Sequence, residues 1–190
     1  MEKGKLVISN DPTIPLFKNS GRVFLITYPE VLERHVKIAK EAMVEVISRF
    51  ELPLKVMLQE DMPDEILNRI YCVFEESLIA GWKMDLYGMQ AHFSDGGGFD
   101  FENFAFLLLV PDRFTFKERK AVYGNTVPGD FGIVRAMDMY FRGTIIHEFG
   151  HLLGRYGHCK DPECIMGYAN MDAEWFCKEC AATLIKIWGK

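Results

Sequence analysis

Apolar residues recur along this chain in two rhythms, and the changes of rhythm mark its elements. Lys5 to Ser9 and Val23 to Thr27 are short runs rich in β-branched residues, closed by Asn10-Asp11-Pro12 and by Tyr28-Pro29. Both are predicted strands, with a turn at Asn19-Ser20-Gly21 between them. From Glu30 to Phe50 the spacing lengthens to three or four, through Leu32, Val36, Ala39, Met43, Val46 or Ile47, and Phe50. That spacing predicts a helix with one apolar face, ended by Pro53. His35, set among Glu33, Arg34 and Lys37, reads as part of its solvated face. Leu54 to Gln59 predicts a strand. Asp64 to Gly81 predicts a second helix that turns Ile66, Ile70, Phe74 and Leu78 inward and carries Cys72 as a small apolar residue in or beside a packed face.

Trp82 to Asn103 shows no period and reads as a flexible loop, with His92 a solvated loop residue. Its Gly96-Gly97-Gly98 lacks the Lys-Ser/Thr of a phosphate loop and the spacing of a dinucleotide fingerprint. Phe104 to Val110 is apolar throughout, as expected of a central strand covered on both faces. Ala121 to Thr126 and Phe131 to Ala136 flank Val127-Pro128-Gly129-Asp130 and predict a hairpin. A helix is then expected from about Asp138, its cap, to Gly154, its stop.

Composition narrows the class. The chain has 190 residues, 49% hydrophobic and 26% charged, which suits one domain able to bury its own core and excludes disorder, collagen and coiled coil. Lys and Arg number 22 against 27 Asp and Glu, a net charge of -5, so no basic surplus exists to grip nucleic acid. The apolar run Phe104 to Val110 is far short of the roughly 20 residues that span a bilayer, so no membrane partner is expected. Met1-Glu2-Lys3-Gly4-Lys5 leads into no apolar segment of the kind a secretory signal requires, and the expected location is cytoplasmic. Four of the 5 cysteines crowd into the last 32 residues, which in a reducing compartment argues for metal.

The chemistry concentrates there too. His147-Glu148-Phe149-Gly150-His151 is H-E-x-x-H inside a predicted helix. Residues four apart share a helical face, so both imidazoles can reach one metal ion while Glu148 points to the neighbouring water site. Zinc suits imidazole and keeps a coordination place for water. Cys159, Cys164, Cys177 and Cys180 give C-x4-C-x12-C-x2-C, four thiolates fit for a closed tetrahedral zinc. An iron-sulfur cluster or paired disulfides would use the same number of cysteines.

The continuation Leu152-Leu153-Gly154-Arg155-Tyr156-Gly157-His158-Cys159 carries a family resemblance. It resembles the metzincin metallopeptidases, in which H-E-x-x-H-x-x-G-x-x-H supplies three histidines to zinc above a methionine turn. It is most similar to the archaemetzincins, where the third histidine is followed directly by cysteine, then x4, C-x-M, and later C-x-x-C. Here these are His158-Cys159, Cys164-Ile165-Met166 and Cys177-Lys178-Glu179-Cys180. The resemblance is strongest over Thr144 to Cys180. Two departures stand out: three residues rather than two separate Gly154 from His158, and the interval from Met166 to Cys177 is shorter than in the family pattern. A bulge at Gly157 would absorb the extra residue, since glycine accepts backbone angles others avoid.

The resemblance implies an α/β fold of the α+β zincin-like kind: a mixed twisted sheet with two backing helices, an active-site helix and a small four-cysteine zinc part. Residues 1–154 would form the sheet-plus-helix part ending in that helix. Residues 155–190 would carry the third ligand, the methionine turn and the structural zinc, in one compact domain overall. It further implies a zinc-dependent peptidase with two Zn2+ ions. His147, His151 and His158 would hold the catalytic one, Cys159, Cys164, Cys177 and Cys180 the structural one, and Glu148 would be general base for a metal-activated water. Met166 would form an apolar floor beneath the histidines. Tyr168 reads as a core aromatic outside the site. The predicted strand Ala121 to Thr126 would be the edge strand that holds an extended peptide or protein substrate. The competing class is a catalytically inactive zincin-fold zinc-binding or scaffold protein. Another alternative replaces His158 by a carboxylate ligand, Glu163 or Glu174.

Overall fold

A computed structural model of the chain describes residues 15–79, 81–94, 99, 101–117, 123–154, 157–167 and 173–189. The predicted strand Lys5 to Ser9, the Gly96-Gly97-Gly98 segment, Tyr168 and the first two residues of the predicted edge strand lie outside them.

Five strands form the main sheet: β1 (Arg22–Thr27), β2 (Lys55–Leu58), β5 (Ala105–Pro111), β7 (Gly124–Val127) and β8 (Phe131–Ala136), in the order β2-β1-β5-β8-β7. The first four in that order run parallel, and β7 turns back antiparallel on β8 at one edge. The uninterrupted apolar run does become the central strand, buried at every position. Because successive strand side chains face opposite ways, β5 divides between two cores. Ala105, Leu107 and Leu109 enter the one shared with α1 (Glu33–Arg49), α4 (Phe141–Leu152) and α5 (Lys178–Trp188). Phe106, Leu108 and Val110 enter the one shared with α2 (Asp64–Glu76) and α3 (Leu86–Ser94). A minor sheet joins β3 (Leu78–Ile79), β4 (Lys83–Met84) and β6 (Thr115–Phe116).

Several boundaries differ from those expected. The first helix starts at Glu33, because Glu30 takes a positive φ of 78° in the turn after Tyr28-Pro29. The second ends at Glu76, and Leu78 and Ile79 pair with Met84 and Lys83 instead of adding a helical turn. Trp82 to Asn103 is not wholly loop. It contains β4 and α3, whose buried Met89 and Phe93 lie one turn apart, too short a pattern to register as periodic. His92 is exposed, as expected, but on α3. Cys72 is exposed rather than packed.

His35 and Asp138 overturn their readings. His35 is only 5% exposed, since it lies on the face of α1 that also buries Ala39, Ala42, Met43 and Val46. Its ring meets Phe141 of α4 edge-on at 5.0 Å. Asp138 caps no helix. It lies ahead of α4, whose preceding residue is the left-handed Tyr140 at φ 60°, and accepts a 2.7 Å hydrogen bond from Arg34.

The end of α4 is held with care. Gly129, in the β7–β8 turn, donates to the Leu152 carbonyl at 3.2 Å, and Trp188 of α5 donates from Nε1 to the Leu153 carbonyl at 2.9 Å. Two carbonyls that a helix terminus leaves without intrahelical partners are thereby satisfied.

Candidate metal and active site

Helix α4 carries His147 and His151 one turn apart, and the turn after it brings His158 round to them. The ring centroids lie 4.7, 5.2 and 5.1 Å from one another, and one nitrogen from each ring falls within 4.8 Å of the other two. Two glycines before His158 take positive φ angles. Gly154 turns out of the helix at φ 98°, and Gly157 takes φ 71°. Cys159 then pairs with the methionine turn, its N–H donating to the Met166 carbonyl at 2.7 Å. His158 joins this group and neither Glu163 nor Glu174 does, both being exposed elsewhere.

His147 Nδ1 lies 2.6 Å from the Ile165 carbonyl, which can only accept, so Nδ1 carries the proton and Nε2 is left with its lone pair. Burial holds His147 below the ordinary histidine range, against the opposing pull of that carbonyl, so the ring is neutral at pH 7 as a metal ligand must be. The Nε2 atoms of His147 and His151 are 3.1 Å apart. Nitrogens on a tetrahedral zinc, each about 2.0–2.1 Å from the ion, would be about 3.3 Å apart, so this pair fits a zinc ion with little adjustment, and a His158 nitrogen lies within 4.8 Å of both rings.

The cysteines give the same answer. Their four sulfurs lie within 4.8 Å of one another, and Cys159 Sγ and Cys177 Sγ are 3.7 Å apart. That is nearly double a disulfide's S–S length of about 2.05 Å. It matches the edge, about 3.75 Å, of a tetrahedron with zinc–sulfur bonds of about 2.3 Å. Burial pushes the Cys164 thiol up to about 11. Burial works in the same direction on Cys177, but the Cys180 backbone N–H and the neighbouring thiols outweigh it and hold that thiol below its usual value.

Glu148 points from α4 to the sheet edge and is 5% exposed. Desolvation raises its carboxyl to about 7, partly opposed by a 2.7 Å hydrogen bond that Thr126 Oγ1 of β7 donates to Oε2. Met166 is fully buried beneath the helix, where Gly150 makes room for it: a Cβ there would sit 2.6 Å from the Met166 sulfur. The seven expected metal ligands are thus drawn into two groups, and Glu148 follows His147 on α4. Sequence reasoning missed Thr126, Gly124 and the Ile165 carbonyl, which enter through contacts across strands and loops. Their residue types carry no signal of their own.

The chain has an α/β fold of the zincin-like kind. Among solved structures the chain is similar to archaemetzincin from Methanopyrus kandleri, with a TM-score of 0.61 and 17% identity over 89% of this chain and 96% of that one. It is also similar to a zinc-dependent peptidase from Methanocorpusculum labreanum, with a TM-score of 0.53 and 21% identity over 85% of this chain and 99% of that one. The chain has the archaemetzincin fold. No protein-family model and no curated protein sequence matches it significantly.

Proposed function

We infer that the protein is a zinc-dependent peptidase with two zinc sites: His147, His151 and His158 at the catalytic one, and Cys159, Cys164, Cys177 and Cys180 at the structural one. The observation that carries this reading is the convergence of three imidazoles beside a buried carboxyl, next to an antiparallel edge strand. The archaemetzincin and zinc-dependent peptidase that share the fold support it.

Zinc bound at the histidines would supply Lewis-acid polarisation of a carbonyl and acidification of water. The protein's own groups do the rest. Glu148, with its carboxyl near neutrality, takes a proton from the attacking water and returns it to the amine nitrogen as the C–N bond breaks. His147 is fixed in the ligating tautomer by the Ile165 carbonyl. Strand β7 takes an extended peptide or protein substrate by main-chain hydrogen bonds along its outer edge. Four thiols kept for metal suit a reducing compartment, so the proposed location is the cytoplasm.

The test joins a zinc-edge anomalous map with turnover of a peptide library. One peak at the histidines and one at the cysteines are expected. Glu148→Gln should keep both peaks and lose hydrolysis by roughly 100-fold or more. A peak at the cysteines alone, or two peaks without turnover in the native protein, would move the scaffold reading ahead.

A further inference from the structure

The base is held by a strand rather than by its own helix, and this carries an inference that rests on, and deepens, the peptidase reading. Gly124 and Thr126, two apart on β7, face α4 together. Gly124 leaves the space that the Glu148 side chain fills. A Cβ there would lie 2.6 Å from Glu148 Cγ and 2.9 Å from Oε1. Thr126 Oγ1 lies 2.7 Å from Glu148 Oε2 and 3.3 Å from the Glu148 backbone oxygen. Thr126 in turn fits because Gly132 stands opposite it on β8, where a Cβ would come within 2.7 Å of the same hydroxyl oxygen.

We propose that Thr126 is a positioning residue: it anchors Oε2 of Glu148, leaves Oε1 for the reacting water, and ties the base to the strand that holds the substrate. Threonine suits this role because its two heavy atoms on Cβ restrict χ1 and so fix the direction of the hydroxyl. The hydroxyl can donate to the carboxylate and remains an acceptor when Glu148 is protonated, so the contact survives both halves of the proton shuttle. Since Gly124 and Thr126 are residues of the edge strand itself, the substrate's register and the carboxylate's position share one frame. An error of about 1 Å between reacting groups costs on the order of a hundredfold in rate.

The test uses the zinc-loaded full chain with Thr126→Val, which keeps the shape and removes the hydroxyl, and Thr126→Ser, which keeps the hydroxyl. On a peptide that the native protein cleaves, T126V should lower kcat by roughly 10- to 100-fold, the same range as for groups that orient metal ligands, with KM unchanged within about twofold. T126S should recover most of that loss, and zinc content should not change. Crystals of T126V should show the Glu148 carboxylate displaced from its native place, and those of T126S should not. Native kcat in T126V, or an unmoved carboxylate, would overturn the proposal. Thr126→Ala serves the same comparison if T126V does not fold. If the native protein cleaves no peptide, the peptidase reading fails, and the carboxylate's place in the two crystal structures alone decides the positioning role.

Discussion

At the scale of single residues, the site is built from groups whose burial sets their chemistry. Asp130 shows the same physics away from the metal groups. It sits in the β7–β8 turn, and desolvation raises its carboxyl to about 6. An acid whose folded pKa exceeds its unfolded one favours the neutral form on folding. Its penalty is absent below the unfolded value, near 4. It grows as pH rises through the folded value near 6 and is constant above. Asp130→Asn should therefore match the native protein at pH 3.5 and be more stable by about 1–2 kcal/mol at pH 8. Denaturant melts at the two pH values would check this, and an equal difference at both would refute it. His35 teaches the complementary lesson. Its charged neighbours mark a solvated face, yet helical spacing aligns it with Ala39, Ala42 and Val46, and packing against Phe141 decides its burial.

At the scale of elements, the connection from α4 to Cys159 carries the consequence of one extra residue. Gly157 in the left-handed region lets His158 still reach the histidine group. Alanine there should cost about 1 kcal/mol of backbone strain and weaken zinc at the histidines while sparing the cysteine site. Competition with a chromophoric chelator separates the two, and unchanged affinity at the histidines would remove Gly157 from the account. Helix α4 and the candidate ligands on it were legible because H-E-x-x-H is a local pattern that sets two histidines one helical turn apart. The end of α2 and the whole of α3 were not. Leu78 keeps the helical phase but is claimed by strand pairing with Met84, and α3 is too short to display a period.

At the scale of the molecule, the C-terminal part works as a clamp on α4. Its cysteine group closes the loop that contains Ile165 and Met166. Ile165 receives the His147 N–H, Met166 lies against Gly150, and Trp188 holds the end of α4. A closed four-thiolate zinc contributes folding free energy directly. Cys177→Ser should therefore lower the thermal midpoint by about 10 °C or more, each kcal/mol being worth about 2–4 °C in a domain of this size. It should also weaken zinc at the histidines by roughly 10- to 100-fold through the loosened Ile165 carbonyl. Calorimetry and zinc competition report these separately. Full affinity at the histidines in a folded Cys177→Ser protein would show that the two groups are independent.

The sequence by itself determined the central strand, the hairpin and α4 in outline, and both sets of candidate ligands, because each depends on residue types at fixed short spacings. Only the tertiary structure decided that β7 seats Glu148, that Gly132 makes room for Thr126, that Ile165 orients His147, and that His35 is buried. Those are meetings of segments far apart in the chain. Their partners are set by how the sheet orders its strands and how α1, α4 and α5 pack on it, which no local pattern records.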